Sequence, residues 1–125
     1  MKRVLLIEDE MRLHKLFEDL FRAENLELIS AYDGQSGLNF IQATMPDLII
    51  LDLILPRKSG FEVLEEIKKD SNLENIPVIV LTNVENKSEI EKAKELGVKD
   101  YLIKANYSLE DILKKIREIL EEKEK

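Results

Sequence analysis

The chain has 125 residues, of which 44% are hydrophobic and 36% charged, and its formal net charge is −7. This length predicts one domain that spans residues 1–125 and has its own core. The negative charge argues against direct binding to nucleic acid, because phosphate backbones bind basic surfaces. The absence of cysteine excludes disulfides, thiolate metal sites and a cysteine nucleophile. No apolar run approaches the roughly 20 residues of a membrane span, so we expect a cytoplasmic protein without a membrane contact.

The first half of the chain alternates short apolar runs with stretches of helical spacing. Residues 4–7 form a continuous apolar run, which predicts a buried strand. Residues 11–24 predict an amphipathic helix, on which His14 is expected to face solvent. Residues 26–31 predict a second strand near the sheet edge, and residues 37–45 predict a second helix that the following proline ends. The apolar stripe of the first helix consists of Leu13, Leu16, Phe17, Leu20 and Phe21.

The second half of the chain predicts three more strands and three more helices. In chain order they are a strand at 48–52, a helix at 60–69, a strand at 77–82, a helix at 86–96, a strand at 100–104 and a helix at 109–120. Asn86 is the expected cap of the fourth helix, and Ser108 with Asp111 resembles a capping box before the last helix. The fourth helix has few apolar residues, so we expect it to be the least firmly held.

Five strands that alternate with five helices predict right-handed crossovers and one parallel sheet covered by helices on both faces. This arrangement is a three-layer α/β domain. In such a sheet, ligands bind at the carboxyl ends of the strands, beside the point where the strand order reverses.

Polar side chains stand at the carboxyl ends of four of the five predicted strands. Glu8 and Asp9 follow the first strand, and Asp52 ends the third. Thr82 ends the fourth strand, and Lys104 ends the fifth. An acid at the end of a buried strand is costly unless something neutralises or uses it. We therefore interpret these five residues as one site with Asp52 at its centre.

These residue types suit phosphoryl transfer through a covalent intermediate. The carboxylate of Asp52 is a nucleophile that can form an acyl phosphate. Mg²⁺ prefers carboxylates, waters and a phosphate oxygen, so Asp9 and Asp52 are candidate ligands, with Glu8 holding a metal-bound water. Lys104 would pair with one phosphoryl oxygen, and Thr82 would donate a hydrogen bond to another.

With these residues the chain resembles the receiver domains of bacterial two-component response regulators, of the single-domain type found among chemotaxis regulators. The resemblance rests on the acid pair after the first strand, on Asp52 before an x-x-x-Pro-x-x-x-Gly loop, and on Thr82 and Lys104. It implies a flavodoxin-like (βα)5 three-layer sandwich with parallel strands in the order 2-1-3-4-5. It also implies that Asp52 is the phosphoacceptor and that Glu8 and Asp9 form the acidic pocket.

The resemblance implies further roles and partners. The backbone carbonyl of Ile54 corresponds to the family's third metal ligand, and Tyr101 corresponds to its switch aromatic residue. A sensor histidine kinase or a phosphotransfer protein would supply the phosphoryl group. The face made by the fourth helix, the fifth strand and the last helix would bind a downstream protein, with the chain a monomer or a phosphorylation-dependent dimer. Such a module promotes only its own phosphorylation and dephosphorylation, so a multiple-turnover enzyme is not expected.

Two departures from the family pattern lead to predictions. The family's lysine is followed by proline in a cis peptide, whereas Ala105 follows Lys104 here. A cis bond before a non-proline residue costs about 2.5–4 kcal/mol, so we expect a trans bond and a rearranged loop before Asn106.

At two positions that tune dephosphorylation in the family, this chain has Ile54 and Val84. Neither can orient an attacking water and both can shield an acyl phosphate, which predicts a long-lived phosphoprotein.

Two other classes of protein remain open on the sequence. A phosphatase of the haloacid-dehalogenase type also uses an aspartyl nucleophile, but it needs a second acid two residues later, where this chain has Ile54. A pseudo-receiver would keep the pocket and act as a phosphorylation-independent protein-binding module. The complete set of acids, together with Thr82 and Lys104, argues against a pseudo-receiver, whereas the missing proline keeps it open.

Overall fold

Strands and helices alternate along the whole described chain. The computed structural model describes the backbone of residues 1–124 and the side chains of residues 1–122. The strands are β1 (Lys2–Ile7), β2 (Leu26–Ala31), β3 (Leu48–Leu51), β4 (Val78–Thr82) and β5 (Asp100–Ile103). The helices are α1 (Met11–Arg22), α2 (Gly34–Thr44), α3 (Gly60–Lys69), α4 (Lys87–Glu95) and α5 (Leu109–Glu124), with a 3₁₀ turn at Lys104–Asn106.

The five strands are parallel and lie in the order β2-β1-β3-β4-β5. All 4 residues of β3, at the centre, are buried, as expected for a strand covered on both faces. In β2, at an edge, only Ala31 is buried. The strand order reverses between β1 and β3, so a crevice opens at the carboxyl ends of these two strands. The predicted three-layer parallel fold is confirmed.

The core consists of two apolar layers, one on each face of the sheet. Successive side chains of β1 and β3 point into opposite layers, because residues along a strand alternate between its faces. Each buried Leu or Ile contributes about 1.5–3 kcal/mol relative to leaving it exposed, so both strands are anchored from two sides. None of the described helices is long and apolar enough to cross a membrane. The two layers contain Leu5, Ile7, Ile49 and Leu51 with α2, α3 and α4, and Val4, Leu6, Leu48 and Ile50 with α1 and α5.

The buried face of α1 differs from the predicted face at two positions. Leu16, expected in the apolar stripe, is 40% exposed. The prediction that His14 faces solvent is wrong, because its side chain is only 4% exposed. His14 precedes Phe17 by three positions and Phe21 by seven, so it shares a helix face with these two buried rings. The interior accommodates the polar ring because both of its nitrogens have hydrogen-bond partners.

Several element ends differ from the predicted ones by a few residues. α2 begins at Gly34 and ends at Thr44, and Met45 follows it in the left-handed conformation with φ 45°. β3 and β5 each end one residue earlier than predicted. Asp52 and Lys104 are therefore the first residues beyond their strands.

The predicted helix caps are present. Asn86 Oδ1 accepts a hydrogen bond from the backbone N–H of Ser88 at 2.9 Å, at the start of α4. Ser108 and Asp111 exchange hydrogen bonds, each between a backbone N–H and a side-chain oxygen at 3.1 Å. These two bonds form the expected capping box of α5. α4 buries only Ala93, which confirms its small apolar face.

The cap of α2 also ties two loops together. Asp33 accepts hydrogen bonds from the backbone N–H of Ser36 at 2.7 Å and from its hydroxyl at 2.9 Å. Arg57, in the loop before α3, places Nη1 3.4 Å from Asp33 Oδ2. The hydrogen bond from the Ser36 N–H is the main cause that lowers the pKa of Asp33, and the Ser36 hydroxyl and Arg57 act in the same direction.

Replacing Asp33 by alanine should lower the free energy of unfolding by about 1 kcal/mol at pH 7, because the cap is lost. The folded-state pKa of Asp33 is lowered, so its carboxylate stabilises the fold above the unfolded-state pKa and stops doing so as the pH falls through the folded-state value. Urea denaturation should therefore show a difference between wild type and Asp33→Ala that shrinks below about pH 4.

Asp33→Asn is the matched control, because asparagine also caps helices and lacks only the charge. A deficit of Asp33→Ala that stayed constant from neutral to acidic pH would contradict this account of the cap.

Candidate functional site

Two neighbouring strands bring three carboxylates together. Glu8 and Asp9 follow β1, and Asp52 follows β3 beside it in the sheet. The Asp52 N–H donates to the Ile7 carbonyl at 3.0 Å, so the parallel ladder continues beyond the strand end. Carboxylate oxygens of the three acids lie within 4.8 Å of one another. Glu8 and Asp52 are 2% and 7% exposed, whereas Asp9 is exposed.

The Lys104 ammonium is shared by the two buried acids. Its Nζ donates to Asp52 Oδ2 at 3.0 Å and also to Glu8 Oε1. Burial raises the pKa of Glu8 to about 7; the hydrogen bond from Lys104 opposes this rise, and the charge of Asp52 adds to it. Burial acts to lower the pKa of Lys104, but its hydrogen bonds to Glu8 and Asp52 outweigh burial and raise it. Lys104 therefore stays protonated and positively charged beside the closely spaced carboxylates.

The other oxygen of Asp52 is held by two donors. Asp52 Oδ1 accepts hydrogen bonds from the Thr82 hydroxyl at 2.7 Å and from the Ile54 N–H at 3.2 Å. Thr82 is 0% exposed, and its Oγ1 also accepts a hydrogen bond from the Val84 N–H at 3.4 Å. With Lys104 on Oδ2, both oxygens of Asp52 have partners and the orientation of the carboxylate is fixed.

The five residues predicted from the strand ends therefore meet at one edge of the sheet. They are Glu8, Asp9, Asp52, Thr82 and Lys104. The peptide bond between Lys104 and Ala105 is trans, as predicted. The residues after β5 turn into the 3₁₀ segment at Lys104–Asn106.

Tyr101 lies half-buried in β5 and reaches the segment between β4 and α4. Its hydroxyl donates to the Val84 carbonyl at 2.7 Å. Burial raises the pKa of Tyr101, and the charges of Glu89 and Asp52 act in the same direction. The hydroxyl is therefore a neutral donor, and it ties β5 to the residue whose N–H contacts Thr82.

Gly60 allows α3 to begin directly against the backbone of Asp52. A Cβ atom at this position would lie 2.1 Å from the Asp52 carbonyl oxygen and 2.5 Å from Leu53 Cα. The Gly60 N–H donates to the Leu53 carbonyl at 2.9 Å. Ser59 caps the helix by accepting a hydrogen bond from the Glu62 N–H at 3.2 Å. A larger residue at position 60 would push the helix away from Asp52.

The donor set at this edge fits a small, hard divalent cation. Mg²⁺ and Mn²⁺ bind carboxylate, carbonyl and water oxygens. Glu8, Asp9 and Asp52 supply carboxylate oxygens within 4.8 Å of one another, and the exposure of Asp9 leaves one side open. Lys104 balances only part of the negative charge, so a dication would complete the neutralisation.

His14 contacts the backbone of Glu8 and is in turn contacted by Ser30, although neither residue was predicted near the site. His14 Nε2 lies 2.6 Å from the Glu8 carbonyl oxygen, and Nδ1 lies 2.8 Å from the Ser30 hydroxyl. Burial lowers the pKa of His14, and the contact with Glu8 opposes this shift. The spacing of His14 with Phe17 and Phe21 is the signal that could have placed it on the buried face. No local signal pairs it with Ser30, since that contact depends on the packing of α1 against β2.

Comparison with known proteins identifies the family to which this fold and this acidic site belong. The family model of the response regulator receiver domain matches residues 4–117. Response regulator Rcp1 from Synechocystis sp. is 37% identical in an alignment that covers 94% of this chain and 86% of Rcp1. The probable transcriptional regulator ycf27 from Guillardia theta is 33% identical over 119 residues, which cover 95% of this chain but only 45% of that protein.

Solved structures show the same fold. The crystal structure of the Mn²⁺-bound form of response regulator Rcp1 matches with a TM-score of 0.80 at 37% identity, covering 95% of this chain and 91% of Rcp1. The receiver domain of Francisella response regulator 1452 matches with a TM-score of 0.89 at 23% identity, covering 98% and 99% of the two chains. The second match supports the fold alone.

The chain belongs to the response regulator receiver domain family, which is a family of signalling modules. Members of this family are phosphoacceptors in two-component signalling. The chain spans 45% of ycf27 and 86% of Rcp1, so its relatives include both longer regulators and proteins of similar length.

Proposed function

We propose that the chain accepts a phosphoryl group on Asp52 from the phosphohistidine of a sensor histidine kinase or a phosphotransfer protein. The observation that carries the proposal is the buried Asp52 carboxylate, whose two oxygens contact Thr82 and Lys104 at 2.7 and 3.0 Å. An Asp52 oxygen attacks phosphorus, and the bond from phosphorus to the histidine nitrogen breaks. The product is an acyl phosphate, which divides one difficult displacement into two easier steps.

We assign Mg²⁺ as the cofactor, with Asp9, Asp52 and the backbone carbonyl of Ile54 as ligands and Glu8 acting through a water. The cluster of three acids within 4.8 Å supports this assignment. Rcp1, a relative at 37% identity, has been crystallised in a Mn²⁺-bound form. When bound, the cation neutralises negative charge where the phosphoryl group approaches the carboxylates.

Lys104 and Thr82 carry the response to phosphorylation. Both already contact Asp52, so each can turn its donor toward a phosphoryl oxygen without a long movement. Hydrogen bonds to charged groups contribute about 1.5–3 kcal/mol each. Shifting a two-state equilibrium from about 1:99 to 99:1 takes about 5.5 kcal/mol, so two such contacts approach the required free energy and one does not.

The signal passes from Thr82 to Tyr101 through Val84. The Val84 N–H contacts Thr82 Oγ1 at 3.4 Å, and its carbonyl accepts the hydrogen bond from Tyr101 at 2.7 Å. A shift of Thr82 toward a phosphoryl oxygen would move Val84 and change the position of Tyr101. Thr82 already faces Asp52 before phosphorylation, so the switch begins from a small adjustment of this hydroxyl.

The output surface in this proposal is the α4-β5-α5 face, which Tyr101 borders. This face binds a downstream protein partner when Asp52 is phosphorylated, and the chain acts as a monomer or as a phosphorylation-dependent dimer. The net charge of −7 argues against direct contact with nucleic acid.

Incubation with Mg²⁺ and acetyl phosphate should add one phosphoryl group per chain, which intact-mass measurement detects. Asp52→Asn should gain none, because an amide does not form the acyl phosphate. Asp70→Asn, at the far end of α3, is the matched control and should gain one group. Chelation of the cation should abolish incorporation.

Two other outcomes would contradict the proposal. Wild-type chain that gains no phosphate would favour the pseudo-receiver, which binds its partner without phosphorylation. Rapid release of many equivalents of inorganic phosphate, with none retained on the chain, would favour a phosphatase.

The phosphorylated chain should be long-lived, because the two residues that could orient an attacking water are apolar. Ile54 is 68% exposed and Val84 is half-buried, and neither side chain can hydrogen-bond a water. Val84→Gln should speed the loss of phosphate by about tenfold, below the usual effect of a general base, while Val84→Ile should leave the rate unchanged. Intact mass followed over time after removal of the donor measures both rates. Loss of phosphate from wild type within seconds at neutral pH would contradict this prediction.

A further inference from the structure

His14 is a buried polar residue of α1 to which the phosphoryl chemistry assigns no role. Its side chain is 4% exposed, although histidine carries two polar nitrogens. Nε2 lies 2.6 Å from the Glu8 carbonyl oxygen, and Nδ1 lies 2.8 Å from the Ser30 hydroxyl. The ring also packs against Tyr32, with ring centroids 4.4 Å apart. The imidazole therefore links the end of β1 to α1 and β2.

The two hydrogen bonds determine which nitrogen carries the proton. The Glu8 carbonyl oxygen can only accept, so Nε2 must be the donor. In a neutral imidazole Nδ1 is then an acceptor, and the Ser30 hydroxyl donates to it. This pattern satisfies both ring nitrogens inside the protein and fixes the orientation of the ring.

The contact falls on the peptide unit that joins the two acids of the site. The Glu8 N–H still pairs with the Ala31 carbonyl at 3.0 Å, but the next peptide unit lies beyond β1. Among the described residues, the hydrogen bond at its oxygen comes from His14. A rotation of this unit would move Asp9 relative to Asp52, because the peptide oxygen and the Asp9 Cα belong to the same rigid plane.

We propose that His14 is a positioning residue, which orients the Glu8–Asp9 peptide unit and thereby sets the affinity of the acidic site for a divalent cation. The inference rests on the proposed function, because it concerns the cation that Asp9 and Asp52 would hold. Removing a group that orients metal ligands weakens binding by about 10–100-fold. A residue that only fills space would instead affect stability and leave the affinity of the folded protein unchanged.

Two substitutions distinguish the effect of the hydrogen-bond donor of His14 from the effect of the space that its ring fills. His14→Phe keeps a planar ring and loses both nitrogens. His14→Gln has an amide that can donate to the Glu8 carbonyl and accept from Ser30. Electron paramagnetic resonance of free Mn²⁺ gives the dissociation constant of each full-length chain directly, and urea denaturation reports the stability of each.

We expect His14→Phe to weaken Mn²⁺ binding by about 10–100-fold and His14→Gln to restore most of the affinity. Phosphorylation of His14→Phe by acetyl phosphate should need more Mg²⁺ for half of the maximal rate, while the rate at saturating Mg²⁺ approaches that of wild type. A loss of folding alone would lower the fraction of active chain without moving the half-saturating concentration.

Equal Mn²⁺ affinities of wild type and folded His14→Phe would overturn the inference. So would an equally large loss in His14→Gln, because the donor would then be irrelevant. If His14→Phe does not fold, Ser30→Ala decides, since it removes the hydroxyl that orients the ring. Ser30→Ala should weaken Mn²⁺ binding, and an unchanged affinity would overturn the inference. A wild-type chain that binds no Mn²⁺ would instead overturn the cation site of the proposed function, and this inference with it.

Discussion

The Lys104 ammonium, shared by two buried carboxylates, is the interaction on which the site depends. Glu8 and Asp52 are 2% and 7% exposed, and together with Asp9 they crowd acid oxygens within 4.8 Å. Buried charges of one sign are unfavourable unless they are paired. Lys104 pairs with both buried acids but leaves an excess of negative charge. Burial is the main cause that raises the pKa of Glu8 to about 7, and the charge of Asp52 adds to it. This excess favours a dication and makes the pocket sensitive to any new charge on Asp52.

The backbone of the fold holds these carboxylates close together although their negative charges repel one another. β1 and β3 are anchored by apolar layers on both faces, and their pairing continues through the hydrogen bond from Asp52 to Ile7. Gly60 allows α3 to close against the Asp52 backbone. Acids on a flexible loop would move apart, whereas acids at the ends of two central strands cannot. Rigid strands therefore supply the stability that the charged site lacks.

The sequence was sufficient for the parts of this arrangement that follow from local patterns. The alternating elements predicted the parallel sheet, and the sheet brings Asp52 and Lys104 to one edge, because both follow strands. Contacts that depend on packing were not predictable. The spacing of His14 with Phe17 and Phe21 marks the buried face of α1, but its partner Ser30 lies 16 residues away on another strand, and no local pattern pairs the two. Gly60 was predicted as the loop glycine at which the third helix begins, but its approach to the Asp52 backbone exists only in the folded chain.

The claim that the closely spaced negative charges of the site destabilise the fold is tested most directly by urea denaturation. The free energy of unfolding of wild type and of Asp52→Asn is measured with and without Mg²⁺. Without the cation, Asp52→Asn should be the more stable protein, because it removes one crowded charge and keeps an oxygen that accepts from Thr82. Mg²⁺ should then stabilise wild type more than the variant, because a ligand stabilises the state that binds it. A variant that is less stable without Mg²⁺, and that gains as much from Mg²⁺ as wild type does, would contradict the account.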